Sequence, residues 1–206
     1  EKYDYKNEIQ QSHNMSRENA IKLILNELDD ESVVVSTTGM TSREVFECRE
    51  QRKQDHKNDF LTVGSMGHSS QIALGIAMAK PELQVFCLDG DGALIMHMGS
   101  VGIIGSKSTK NFKHIILNNA AHDSVGGQPT IGDKIDIASM ALSCQYNAAY
   151  SAQTETELLE KLNLLKSVSG PALLEVKINK GHRKDLGRPT TSPKENKQKF
   201  MNFLLK

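Results

Sequence analysis

Two apolar runs end in polar turns, and the stretch between those turns is the length of one crossover. Val85-Phe86-Cys87-Leu88 leads through Asp89 into Gly90-Asp91-Gly92, and His114-Ile115-Ile116-Leu117 leads into Asn118-Asn119, with 25 residues between the two turns. Short, continuous apolar runs bounded by turn residues are the pattern of strands buried on both faces. A helix-like stretch opens directly after Gly92, so the two runs are parallel strands joined by a crossover. That connection brings a carboxylate, Asp91, and a carboxamide, Asn119, to one edge of a sheet, the edge where open α/β sheets bind ligands. Their hard oxygens suit Mg²⁺, which takes near-octahedral oxygen coordination shared with a ligand's phosphates. Gly90 and Gly92 let the backbone approach a phosphate, and the following helix turns its amino end toward the negative charge. Either turn alone is ordinary. The pairing at this spacing carries the reading.

From Met15 onward helix and strand patterns alternate. Ser16-Arg17-Glu18-Asn19 starts a helix with Ile21, Ile24, Leu25 and Leu28 at helical spacing. Ser32–Ser36 reads as a strand, Thr37–Thr41 as a loop, Ser42–Arg49 as a helix and the charged Glu50–Asn58 as an exposed loop. Phe60–Val63 reads as a short strand before the loop Gly64-Ser65-Met66-Gly67-His68, and Ser69–Lys80 as a helix with Pro81 beyond its end. A strand Val85–Leu88, a helix from Ala93 to Gly105 and a strand His114–Leu117 follow. Beyond them come a strand within Ser143–Tyr150, an amphipathic helix Glu155–Val168 and a last strand Ala172–Ile178. The alternation implies the α/β class: a doubly wound parallel sheet with helices on both faces. Residues 1–14 read as a polar linker and 15–206 as one domain.

Composition narrows the partners. With 25 basic and 25 acidic residues the formal net charge is zero, which gives no electrostatic case for nucleic acid or a membrane surface. No apolar run reaches transmembrane length, and the start has no signal-peptide pattern. The three cysteines, Cys48, Cys87 and Cys144, lack metal-ligand spacing. Cys87 falls within a strand, so a reduced, buried thiol in a cytoplasmic protein is expected.

Two helices are too apolar for a free surface. Ile72–Ala79 has almost no polar face, and Leu94–Met98 with Val101, Ile103 and Ile104 is similar. A helix that is apolar all round must be covered on both sides, and the sheet covers one. Contact with another domain or subunit is the expected cover, in a homo-oligomer.

The GDG and NN turns at this spacing resemble the signature of thiamine diphosphate (ThDP) enzymes. From Val33 onward the chain is similar to the decarboxylases of that family. Within it, the phosphonopyruvate decarboxylase branch shares Ser36–Glu44, Gly64–His68, Leu88–Met98, the run Asn118–Thr130 and the tail Gly181–Pro189. Sulfopyruvate decarboxylases form a related branch, sometimes with the two halves on separate chains. The resemblance implies the diphosphate-binding (PP-type) domain and the cofactors ThDP and Mg²⁺. The reaction it implies is loss of CO₂ from a 2-oxo acid into the electron sink of the cofactor, leaving an aldehyde.

It also implies roles. Asp91, Asn119 and the main-chain carbonyl of Ala121 would bind Mg²⁺. Backbone groups at Gly39, Met40, Gly92, Ala93 and Ser124, beside Gly90, would hold the diphosphate. The Gly64 carbonyl and the Met66 amide would bind the aminopyrimidine ring, with the Met66 side chain wedged beneath the cofactor to keep it bent. His122 would stand near the reacting centre. His122, Gln128, Arg183 and Arg188 are candidates for the substrate's distal anion, with a solvated basic tail the alternative for Arg183 and Arg188. Asp91 has no evident structural partner in the sequence, His68 reads as a cap for the next helix, and His97 as a satisfied interface histidine. A pyrimidine-binding domain or subunit carrying a catalytic glutamate has no counterpart here and would be the partner. The rivals are a synthase or transketolase-like subunit with the same cofactor, against which the run His122–Thr130 argues, and a catalytically silent binding or assembly module of the same fold.

Overall fold

The computed structural model describes residues 13–205; most of the stretch read as a linker lies outside them. His13 already lies against the fold, its N–H donating to Asn179 Oδ1 at 2.8 Å. In chain order the elements are α1 (Arg17–Glu27), β1 (Val33–Ser36), α2 (Met40–Gln51), β2 (Asp59–Leu61), α3 (Ser69–Ala79) and β3 (Val85–Gly90). Then come α4 (Asp91–Met96), α5 (Gly99–Lys107), β4 (Phe112–Asn118) and the short pair β5 (Ala121–His122) and β6 (Gln128–Pro129), with a 3₁₀ turn Asp123–Val125 between them. The chain continues through α6 (Ile137–Ser143), β7 (Ala148–Ala152), α7 (Glu155–Ser167), β8 (Ala172–Lys177) and α8 (Pro193–Leu204).

Six parallel strands stand in the order β2-β1-β3-β4-β8-β7. The doubly wound reading is therefore the fold that forms. Each face of the sheet has its own core. On one side α1, α2 and α7 bring Ile21, Ile24, Leu25, Val45, Leu158 and Leu162 onto Val34, Phe86, Leu88 and Ile115. On the other, α3, α5, α6 and α8 cover Val33, Val35, Val85, Cys87 and Ile116 with Ala73, Val101, Ile104, Ile137 and Phe200. Burial on both faces is why the central strands carry apolar runs rather than alternation. It also pushes the Cys87 thiol well above its ordinary pKa.

Helix starts follow local chemistry. Ser16 and Thr154 cap α1 and α7 through their hydroxyls, and Ser192 with Glu195 forms a capping box on α8 with Pro193 in the first turn. The edge strand β2 is tied to α2 by a buried bidentate pair, Arg49 Nε and Nη2 each 3.0 Å from a carboxylate oxygen of Asp59. The helix runs on to Gln51, past the start of the expected loop.

Local details differ from the sequence reading. The helix expected over Ala93–Gly105 is two helices, broken at His97–Met98. There His97 leaves helical geometry (φ −127°, ψ 46°), and its ring fills the space above Gly67, where a Cβ would come 2.1 Å from His97 Nδ1. The strand expected within Ser143–Tyr150 does form as β7, beginning at Ala148, while Ser143 ends α6. Neither α6 nor α8 was expected. Both apolar helices do expose an outer face: Met78 is 53 %, Met96 54 % and Ile103 50 % exposed. No helix among the described residues is long and apolar enough to cross a membrane.

Candidate cofactor and metal site

From β1 the chain turns outward through α2 to β2, while from β3 it turns the other way through α4 and α5 to β4. Between the carboxyl ends of β1 and β3 lies the switch point of the sheet, and a cleft opens there. It is lined by Thr37, Thr38, Met40 and Thr41 from the β1–α2 turn, Met66 from the loop before α3, and Gly90–Ala93 from the β3–α4 turn. Leu117 near the end of β4, Asn119 and Ala121–Ser124 beyond it, and Arg17 of α1 complete the lining. Parallel register explains the meeting: Gly90 pairs with Leu117, so Asp91 and Asn119 leave adjacent strands at the same level.

The metal end is buried and polar. Asp91 is 1 % exposed and Asn119 8 %. Asp91 does have a structural partner, contrary to the sequence expectation: the Thr130 hydroxyl donates to its Oδ2, and the Asn119 N–H lies 3.4 Å from its Oδ1. Burial raises the Asp91 pKa; hydrogen bonds oppose it, and among the described residues no cation does. A carboxylate stripped of water and lacking a cationic neighbour is costly as an anion, and a divalent cation relieves that cost. Asn119 Oδ1 accepts from the Ala121 N–H at 3.1 Å and its Nδ2 donates to Asp123 Oδ2 at 2.8 Å. Ala120, at φ 52°, makes the tight turn that brings Ala121 beside Asn119. The donor set of carboxylate, carboxamide and backbone carbonyl fits a hard cation such as Mg²⁺.

The neighbouring wall fits a phosphate. α2 has no side-chain cap, so its first N–H groups are left for a ligand, whereas at the start of α4 the Asp91 carboxylate itself draws the N–H groups of Asp91 and Gly92. Gly39 precedes α2 at φ 93°, ψ −134°, and a Cβ there would stand 3.2 Å from Ser124 Cβ. Gly92 is required by a close approach: a Cβ would fall 2.6 Å from the His122 ring and 3.2 Å from the Met66 methyl. His122 and Met66 thus meet over Gly92.

Not every expected residue reaches the cleft. Gly39 and Gly64 support the lining residues without lining the cleft, Gly64 donating its N–H to Thr38 Oγ1 at 2.9 Å. His68 occupies the position before α3 but makes no cap bond; its Nδ1 faces the carbonyls of Ser65 and Met66, and its ring lies 4.5 Å from that of His97. Arg183 stands outside the lining, its guanidinium beside Glu18, Glu47 and Asp185. Gln128 and Arg188 stand outside the lining. Arg17, Glu44, Asp123 and Thr130 were missed. The last two lie within the run Asn118–Thr130, so the family resemblance marked their positions without a role.

These elements define a class: an α/β domain with a cleft at the switch point of its parallel sheet, lined by a buried carboxylate, a carboxamide and the start of α2. The family described as "Thiamine pyrophosphate enzyme, C-terminal TPP binding domain" matches residues 36–176, and the chain belongs to it. Thiamine pyrophosphate is another name for ThDP. Among its relatives is a phosphonopyruvate decarboxylase of Streptomyces viridochromogenes, 34 % identical over 185 residues that make up 90 % of this chain and 45 % of that one. Sulfopyruvate decarboxylase subunit beta of Methanococcus maripaludis is 31 % identical over 192 residues, 93 % of this chain and 99 % of that subunit. The chain therefore spans about half the length of the phosphonopyruvate decarboxylases it matches and nearly all of that subunit. A solved structure from Mycobacterium smegmatis, described as a thiamin diphosphate-dependent enzyme, shares the fold at a TM-score of 0.67. It is 19 % identical and covers 80 % of this chain and 32 % of that one.

Proposed function

We propose that this chain is the ThDP- and Mg²⁺-binding part of a 2-oxo acid decarboxylase, with phosphonopyruvate as substrate and phosphonoacetaldehyde and CO₂ as products. The observation that carries the reading is the cleft itself, where Asp91, Asn119 and Met66 converge beside the uncapped start of α2. Asp91, Asn119 Oδ1 and the Ala121 carbonyl hold the cation. Backbone groups of Gly39, Met40, Gly90, Gly92, Ala93 and Ser124 orient the diphosphate, Gly64 and Met66 receive the pyrimidine ring, and Met66 keeps the cofactor bent. His122, facing Gly92, is placed to orient the substrate or hold a proton beside it. When bound, the cofactor supplies the electron sink into which CO₂ departs.

A partner supplies what this chain lacks: a pyrimidine-binding domain or subunit with the activating glutamate. The exposed apolar outer faces of α3, α4 and α5 support such an assembly and self-association. Free, mostly buried cysteines support a cytoplasmic setting. A second reading, a sulfopyruvate decarboxylase β-type subunit, is favoured by the near full-length match to the M. maripaludis subunit. Calorimetric titration with ThDP and Mg²⁺ tests the binding role, and absence of Mg²⁺-dependent binding rejects it in favour of a silent module. Product assays on phosphonopyruvate and sulfopyruvate, with a pyrimidine-binding half supplied, decide the substrate. This chain alone is expected to show no turnover.

A further inference from the structure

Asparagine is an ambiguous metal ligand. Its oxygen and its amide nitrogen occupy nearly equivalent positions, and only the oxygen binds a cation. Some neighbour must fix which one faces the cleft. We infer that Asp123 is a positioning residue that locks the Asn119 carboxamide with its oxygen toward the cation. The inference rests on the reading of Asn119 as an Mg²⁺ ligand.

The lock has two jaws. Asn119 Nδ2 donates to Asp123 Oδ2 at 2.8 Å, and on the opposite side the Ala121 N–H donates to Asn119 Oδ1 at 3.1 Å. A flipped amide would set its NH₂ against a backbone N–H and its oxygen against a carboxylate oxygen, losing both bonds. Two independent partners therefore select one orientation. Oδ1 has two lone pairs; Ala121 takes one and the other remains for a cation.

Asp123 is itself braced so that its oxygen can only accept. Three donors converge on Oδ2: Asn119 Nδ2, Arg17 Nη1 at 3.2 Å and the Gly181 N–H at 2.9 Å. Arg17 is fixed in turn by Glu44, at 2.8 and 3.2 Å, and its Nη2 donates to the Gly181 carbonyl at 3.3 Å. The side chains of Arg17, Glu44 and Asp123 are 6 %, 2 % and 7 % exposed, so water competes little for these bonds. Segments 106 and 58 residues away from Asp123 thus hold one oxygen atom in place.

The test is Mg²⁺-dependent ThDP affinity by calorimetry, with thermal unfolding recorded for each variant. Asp123→Ala leaves the Arg17–Glu44 pair intact and is expected to weaken binding roughly ten- to a hundredfold, the usual effect of losing a group that orients a metal ligand. Asn119→Asp added to Asp123→Ala is expected to restore most of that loss, because a carboxylate presents oxygen whichever way it turns. Asn119→Asp alone is expected to bind weakly, since two carboxylates then face each other. General damage at position 123 would not be relieved by a change at 119. Should Asp123→Ala fail to fold, Asp123→Ser, polar but too short to reach Nδ2, takes its place in both arms. Wild-type affinity in the single variant, or no recovery in the double, overturns the lock. Asn119→Ala run alongside separates the two levels: wild-type affinity there overturns the ligand reading, whereas loss there with none in Asp123→Ala overturns only the lock.

Discussion

The two loops that face each other across the cleft are built differently. The loop after β4, from Asn119 to Thr130, is tied down by polar contacts: Thr130 to Asp91, Asp123 to Asn119, Arg17 and Gly181, and Thr130 N–H to the Ala120 carbonyl. The loop before α3, from Val63 to His68, stands largely in solvent. Val63 is 68 % exposed, Gly64, Ser65 and Gly67 all have positive φ, and Gly64 is tethered through one bond to Thr38. The difference teaches where each half of the site draws its rigidity. The half proposed to hold the metal is fixed by this chain's own tertiary contacts, whereas the half proposed to receive the ring leaves Val63, Gly64, Ser65 and His68 exposed.

If that division holds, changes in the two loops have different signatures. The largest effect belongs to Asp91→Ala, expected to lower Mg²⁺-dependent ThDP affinity by more than the roughly hundredfold typical of groups that merely orient ligands. Circular dichroism should report a folded domain, and unchanged cofactor affinity would break the comparison at its root. Asn119→Ala should weaken binding as well, by a smaller factor, because a neutral amide offers the cation less charge than a carboxylate.

Next is Met66→Ala, a change in the ring half. Calorimetry should find ThDP affinity altered less than about tenfold, for the methionine contributes packing and a bend rather than charge. Exchange of the thiazolium-carbon proton, followed by NMR with the pyrimidine-binding half supplied, should slow. A wild-type exchange rate would remove the wedge role.

A smaller contrast compares two glycines. Gly92→Ala pushes a methyl to 2.6 Å from the His122 ring and should disturb the metal half, while Gly64→Ala meets no atom within 4 Å and bears only its left-handed backbone, about 1–2 kcal/mol. Equal losses of affinity in the two variants would mean that the loops are equally constrained.

The smallest effect sets a baseline for both loops, at the far end of β4. Lys113 is 1 % exposed, and burial lowers its pKa from 10.5 to about 8. The unfolded chain therefore binds more protons between these values, so stability should rise as pH increases from about 8 toward 10.5. Urea unfolding at the two ends of that range measures the slope, which Lys113→Met should flatten without touching ThDP affinity.

The strands, most helices and the meeting of Asp91 with Asn119 were legible because they depend on local pattern: apolar runs, caps and one crossover length. The α8 helix was missed although Ser192-Pro193-Lys194-Glu195 is a capping-box sequence followed by Phe200 and Leu204 at helical spacing. The break at His97 was not legible, since it depends on the bare backbone of Gly67 thirty residues earlier in the chain. Arg183 read equally well as a substrate ligand or a surface cation, and its commitment to Glu18 and Glu47 appears only when α1, α2 and the tail are packed together.

By itself, then, the sequence determined a doubly wound sheet with Asp91 and Asn119 at its switch point, because periodicity and turn chemistry act over a few residues and right-handed crossovers follow from chain geometry. Only the tertiary structure decided how those side chains are held. Asn119 is bonded to Asp123, which Arg17 and Gly181 reach in turn, and Asp91 is bonded by Thr130. Such bonds form between segments whose separation in the chain carries no periodic signal, and they act only once packing has excluded water from around them.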